Sequence, residues 1–309
     1  MLIDHLRRDF DRRNYNRVQY GNIHPEVIAW KKRIRNNSGS VSNKTLRAVD
    51  WFYRRLKSTS FFNKILLLNC VVPDNLTAAL TPLIDPTRQY RWTNNGIFPS
   101  SLDIDGIRNT GGILGSSYIQ TGFIPSNYFP ADASNGGMTF YVSNAHNPLS
   151  TATSLFGALS SGGDKRMQAY LFGPGVAVAT FNSVIYDDGI TNSLVSDVGY
   201  YSFNRRSTSV HEAYRGFDNR FNWLSIPSLI HQNAGSSAVA PIYGVPEVEC
   251  FFLASNLDGS KYRSLHETQA ISFIASHFGL TFEESNTFYH LVEVFRLKIG
   301  GGFGKSEST

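Results

Sequence analysis

The chain has 309 residues, 41% of them hydrophobic and 13% aromatic, and a formal net charge of +5. That composition sustains a sizeable core and excludes a globally disordered chain. The two cysteines, Cys70 and Cys250, exclude a disulfide-framed miniprotein, and no Cys/His pattern has zinc-ligand spacing.

The charge is unevenly placed. Residues 1–60 hold 14 Lys/Arg against 5 Asp/Glu, while the rest of the chain holds 15 against 19. A basic segment ahead of a faintly acidic body is the layout of a module that attaches to something. The first 20 residues carry charges where an export signal has its apolar core, so no secretory signal is expected.

Two helices are predicted within residues 1–60. Pro25 stands at a helix start, and Val27, Trp30 and Ile34 then recur on one face. Lys31, Lys32, Arg33 and Arg35 load the end where cations oppose the negative pole of the helix dipole. After a loop around Gly39, Ser42 or Asn43 can cap a second helix with Leu46, Val49, Phe52, Tyr53 and Leu56 as its apolar stripe. Each helix is too short to be stable alone, so both must pack on something. Residues 1–60 are therefore expected to form a basic helical arm for attachment. Trp30 and Trp51 are its apolar anchors, and Arg33 and Arg54 its steering charges.

Residues 61–87 read as a connecting segment. The apolar run Phe61–Val72 is broken by Asn63, Lys64 and Asn69 and is too short to span a membrane. From residue 88 to 309, short β-type runs alternate with turn signals. Met138–Val142, Ala169–Phe172, Val176–Phe181, Tyr200–Phe203 and Val248–Ala254 read as strands. Asn135-Gly136-Gly137, Ser161-Gly162-Gly163, Asp187-Asp188-Gly189 and Leu257-Asp258-Gly259 read as turns. The pattern predicts a mainly β, antiparallel sandwich. One helix, 281–298, closes it: Thr281 and Glu284 form a capping box, and Phe288, Leu291, Val292 and Phe295 follow at helical spacing.

Several stretches then carry a resemblance. Pro25–Leu56 and Leu76–Ile84 (LTAALTPLI) resemble the N-terminal part of tailed-phage virion and appendage proteins. Ser117–Pro125 (SYIQTGFIP), Phe251–Ser260 (FFLASNLDGS) and Ile271–Gly300 resemble the early strand, closing hairpin and final helix of the same group. The resemblance spans about residues 25–300. It implies a jelly-roll sandwich of the concanavalin/laminin-G-like kind in a virion component: tail, fibre, neck or capsid decoration. The expected partners are other virion proteins, further copies of this chain and a host-surface glycan. Neither a membrane nor nucleic acid is expected, and the place of action is the virion, after synthesis in a host cytoplasm. A jelly-roll capsid protein and a nucleic-acid-binding internal virion protein remain alternatives.

Chemistry-bearing patterns are sparse. Glu247 and Glu249, at i and i+2 of an expected strand, would face one side, as glycosidase carboxylates do. A glycan-degrading enzyme using that pair is the alternative to a chain with no activity of its own, which is the expectation. Calcium accompanies laminin-G-like folds, and Asp103, Asp105, Asp187, Asp188 and Asp258 are its candidate donors, though Asp-Gly is first a hairpin signal. No catalytic residue, cofactor site or metal site is assigned. The histidines show no HExxH pairing, and no nucleophile elbow, P-loop or dinucleotide fingerprint is present.

Overall fold

The computed structural model describes residues 23–87, 91–109, 117–131, 134–143, 153–162, 164–172, 176–181, 188–191, 198–207, 210–217, 230–235, 244–267 and 269–300. Helix α1 is Pro25–Asn36, and His24 caps it, its Nδ1 accepting from the Glu26 backbone N–H at 3.2 Å. Helix α2 is Asn43–Lys57. Of its two expected caps Ser42 serves, its Oγ accepting from the Thr45 N–H at 3.1 Å. Strand β1 (Ile65–Asn69) and a single turn, α3 (Leu76–Ala79), follow.

The early strands are β2 (Thr93–Asn95), β3 (Leu102–Asp103), β4 (Gly106–Arg108) and β5 (Tyr118–Gln120). The middle ones are β6 (Gly136–Val142), β7 (Thr153–Leu159), β8 (Arg166–Phe172), β9 (Val176–Phe181), β10 (Asp188–Thr191), β11 (Gly199–Arg205), β12 (His211–Phe217) and β13 (Ile230–Gly235). Then come β14 (Phe251–Phe252), β15 (Ala254–Leu257), β16 (Ser260–Ser264), β17 (Ala270–His277) and helix α4 (Phe282–Ile299). The capping box at Thr281 and Glu284 is formed, and Gly300 ends α4 in the left-handed conformation.

Two sheets result. Sheet A has the order β13-β12-β11-β6-β17-β4-β3, with β1 also on β17; sheet B has the order β10-β9-β8-β7-β14-β5-β2, with β15 and β16 joined at β7. The mainly β sandwich with N-terminal helices and a closing helix is thus present. Among the described residues one pairing departs from antiparallel: Asn256 and Leu257 run parallel to Ala158 and Leu159.

Two apolar cores lie on either side of sheet A. Between the sheets pack Leu67, Trp92, Ile107, Ile119, Phe140, Phe156, Phe203, Phe252 and Ile271, among others. On the opposite face of sheet A, Val27, Trp30, Val49, Phe52 and Leu56 pack with Tyr141, Tyr200, Phe273, Phe288 and Phe295. The Phe52 ring lies 5.8 Å from Phe273 of β17 and 5.2 Å from Phe295 of α4. The molecule has three layers: helices, sheet A, sheet B.

This corrects the expected division into a 1–60 arm and a 61–87 connector. The described helices of the arm, α1 and α2, spend their apolar faces on the chain's own sheet. The connector supplies β1, whose Leu67 faces the inter-sheet core while Leu68 faces the helices. A strand buried on both faces reads as a continuous apolar run, and so hides from an alternation search. The expected strand Val248–Ala254 is likewise broken. Leu253, at φ 63°, separates β14 from β15, and residues before Phe251 pair with no strand. Of the expected turns, Asp258 and Gly259 take positive φ (49° and 89°) and join β15 to β16. Gly136 and Gly137 instead lie inside β6, and Asp188 and Gly189 inside β10; Asp187 and Gly163 fall outside the described residues.

Gly137 is there for close approach. A Cβ on it would stand 2.5 Å from Cε1 of His277. His277 ends a buried polar chain under the helices: Asn204 Nδ2 donates to Ser202 Oγ at 3.0 Å, and Thr139 Oγ1 lies 3.1 Å from Ser202 Oγ and 2.9 Å from His277 Nε2. His277 Nδ1 sits 2.9 Å from the Phe278 carbonyl. A carbonyl only accepts, so Nδ1 carries the proton and Nε2 accepts from Thr139. Burial, the largest influence, lowers the His277 pKa from 6.5 to about 4; nearby Lys64 adds to this, and the Phe278 carbonyl and Glu284 oppose it.

Two outcomes follow from this layering. Removing residues 1–60 would bare the Phe273 face of sheet A, so the truncated chain should fail to fold cooperatively in a urea titration. Trp30→Ala in the full chain should lose about 3–5 kcal/mol. A truncated chain unfolding as sharply as the intact one would contradict the shared core. The His277 prediction concerns acid. Above pH 6.5 the ring is neutral in both states, while below it the unfolded chain takes up a proton that the folded chain refuses until about pH 4. His277 should therefore account for a fall of about 3 kcal/mol across that window, since each pKa unit is worth about 1.4 kcal/mol, and His290, which burial also lowers to about 4, adds to the same slope. His277→Gln should lower stability at pH 7 and lessen the slope between pH 6.5 and 4, leaving the part that His290 contributes, as read from urea midpoints.

Candidate functional site

The four residues expected to make an attachment contact divide into two pairs. Trp30 is 1% exposed, and its Nε1 donates to the Thr81 carbonyl at 2.8 Å. Arg33 Nη2 donates to the carbonyls of Pro82 (2.9 Å) and Leu83 (3.3 Å), and burial pushes its pKa down against the pull of Asp85 and Glu26. Both residues tie α1 to the segment before β2, so their assignment as intermolecular anchors is corrected. A buried indole needs a partner for its N–H, and this chain supplies one. Trp51 and Arg54 stand further out. Lys298 Nζ lies 4.9 Å from the Trp51 ring, and Arg54 Nε meets Asp50 Oδ2 at 2.9 Å. Lys32, Arg35, Lys44 and Lys57 of the same helices are exposed.

The carboxylates expected to work together are engaged separately. Glu247 lies in a bend and Glu249 in the irregular backbone just after it, neither of them in a strand. Glu247 is exposed and pairs with Lys165, whose hydrogen bond and charge lower the Glu247 pKa. Glu249 turns elsewhere: its Oε2 accepts from the Gly122 N–H at 2.8 Å and its Oε1 from Gln120 Nε2 at 3.1 Å.

Gln120 leads to a patch that the sequence reading missed. Strands β2, β5 and β14 align Thr93, Gln120 and Phe251 in one row and Asn94, Ile119 and Phe252 in the next. Ile119 and Phe252 point into the inter-sheet core, so Thr93, Gln120 and Phe251 face away from it, as do Asn95 and its partner Tyr118. Tyr118 stacks on Phe251 with centroids 4.5 Å apart and planes 27° apart. Asn95 Nδ2 donates to Gln120 Oε1 at 3.2 Å, extending the Gln120–Glu249 bond into a chain across the strands. The one available signal was Tyr118-Ile119-Gln120, an apolar residue between an aromatic and an amide. It yields an outward pair only once Ile119 is known to be core.

The candidate calcium donors do not converge. Asp103 pairs with Arg108 and accepts from the Asp105 N–H at 2.7 Å, in sheet A, whereas Asp258 forms the β15–β16 turn of sheet B. Asp187 and the Asp188 side chain fall outside the described residues, among which no three His, Cys, Asp or Glu gather as a metal would require. Cys70 and Cys250 are buried free thiols, and burial pushes both pKa values up. No helix among the described residues is long and apolar enough to cross a membrane.

No protein-family model matches the chain, and no curated protein matches it. Solved structures do. A Trypanosoma rangeli sialidase in complex with sialic acid is 9% identical, with a TM-score of 0.49 over 81% of this chain and 38% of the sialidase. The botulinum neurotoxin serotype D binding domain is 9% identical, with a TM-score of 0.46 over 75% of this chain and 51% of that one. This chain thus spans about two-fifths and about half of their respective lengths. The likeness concerns the fold alone and carries no catalytic residue across. The expectation that the chain has no activity of its own is corrected to this extent: structures of enzymes are among those it is similar to, and that expectation is withdrawn.

Proposed function

We propose that this chain is a structural and adhesive component of a phage particle, docked through the outer face of its helical layer and displaying its sandwich for contact with host glycan. The observation that carries the reading is how the helical layer divides its residues. The apolar stripes of α1 and α2 are spent on the chain's own core, while Lys32, Arg35 and Lys44 stay exposed and form no ion pair among the described residues. Exposed cations on a rigid platform attract and orient an acidic partner more than they stabilise a fold. The resemblance of residues 25–300 to tailed-phage virion proteins supports the same reading, with other particle subunits and further copies of this chain as partners.

Charge reversal tests the docking face. Lys32→Glu, Arg35→Glu and Lys44→Glu together should lower the melting temperature only slightly: all three are surface positions, and while the reversals near the end of α1 oppose its dipole, Lys44→Glu in the first turn of α2 favours that helix's dipole. Incorporation into particles should fall about tenfold or more, and wild-type association should weaken as salt rises. Normal copy number for the triple variant would overturn the reading.

A further inference from the structure

We propose that the outer face of sheet B around Tyr118, Gln120, Asn95 and Glu249 is a binding platform for a neutral saccharide. The inference rests on the adhesive half of the proposed function and adds to it a location and a ligand charge. Four features argue for it.

The first is the aromatic surface. Phe251 is 1% exposed, whereas Tyr118, stacked on it, is half-buried and marks the outward limit of the pair. A ring backed by a second ring is a rigid, flat apolar surface, which suits the C–H face of a pyranose.

The second is the type of polar group beside it. A sugar hydroxyl both donates and accepts, and so does a side-chain amide. The described bonds use one N–H and one lone pair of Gln120 and leave another of each. Asn95 directs its amino group to Gln120 and to the Thr93 carbonyl at 3.4 Å, which leaves its carbonyl oxygen for a ligand.

The third is order. The chain Asn95–Gln120–Glu249–Gly122 N–H fixes which way each amide points, so little side-chain freedom is lost when a ligand arrives.

The fourth is charge. Glu249 is the sole charged member of the patch and it only accepts, so it welcomes hydroxyl donors and opposes sialyl, sulfate or phosphate groups. Arg91, the nearest cation along the chain, stands two residues before β2, outside the hydrogen-bonded chain of the patch. The charge therefore selects a neutral hexose or N-acetylhexosamine over an acidic sugar.

The test is an array of neutral hexose and N-acetylhexosamine oligosaccharides beside sialylated and sulfated ones, followed by titration calorimetry on the full chain. At least one neutral oligosaccharide should bind and the anionic ones should not. Tyr118→Ala should weaken binding about tenfold, equivalent to the upper range of an aromatic contact. Tyr118→Phe should retain most of it. Asn95→Ala, on the edge strand and clear of the core, should weaken binding about threefold or more while leaving the melting temperature unchanged. Neutral binding that survives both alanine variants would overturn the site while leaving adhesion standing. Binding of anionic glycans alone would overturn the ligand class. Binding of no glycan at all would overturn both the site and the adhesive reading, yet leave docking through the helical layer intact. Self-association lost in the same variants would overturn the proposal in favour of a second copy on this face.

Discussion

The structure depends on β17 being buried on both faces. Ile271 and Ile274 fill the space between the sheets, while Phe273 and Ala275 meet the helices. A bulge between Ile271 and Phe273 shifts the register, so this division is not a simple alternation. β6 pairs along one side of the strand, and β4 and then β1 follow one another along the other. No stable sheet A exists without cover for Phe273, and that cover comes from α2 and from α4 through Phe52 and Phe288. The N-terminal helices and the C-terminal helix are therefore joined through a strand that is distant in sequence from the first of them. Lys64, just before β1, adds a polar tie to Glu284 of α4 at 2.7 Å.

That dependence explains what was legible in the sequence and what was not. Local signals survived translation into structure because they are satisfied locally. Pro25, Ser42 and the Thr281–Glu284 box each act within one helical turn, and Asp258-Gly259 within one hairpin. Signals that need a neighbour's identity did not survive. Amphipathic stripes on α1 and α2 say that an apolar partner exists, not whether it belongs to the same chain. Net positive charge beside those stripes suggested an outside partner, yet Trp30 found the Thr81 carbonyl. Gly136-Gly137 resembled a turn for a similar reason. The closeness of His277 to Gly137 is a tertiary fact that no dipeptide records.

The candidate site was less legible than the fold. Glu249 was noticed as half of a carboxylate pair, but a bend separates its role from that of Glu247, which meets Lys165 instead. The residues that frame Glu249, Asn95 and Gln120, belong to strands of three residues each. Strands that short leave almost no periodic trace; β2 takes its register from β5, and β5 pairs with β14 across more than a hundred intervening residues.

The layering also separates the two outward surfaces. Helices cover one face of sheet A, sheet B covers the other, and the Tyr118 patch lies on the face of sheet B turned away from that interior. The exposed cations of α1 and α2 and the amide–aromatic patch thus stand on opposite sides of the sandwich. A particle component that docks by one face and meets a ligand by the other needs this arrangement, because a patch beside the docking face would be covered on assembly. The charge distribution is consistent with it: cations concentrate on the helical layer, whereas the patch holds a single carboxylate already committed to Gly122 and Gln120. Opposite faces also make the two proposed roles separable by mutation, since neither set of side chains contributes to the core that joins them.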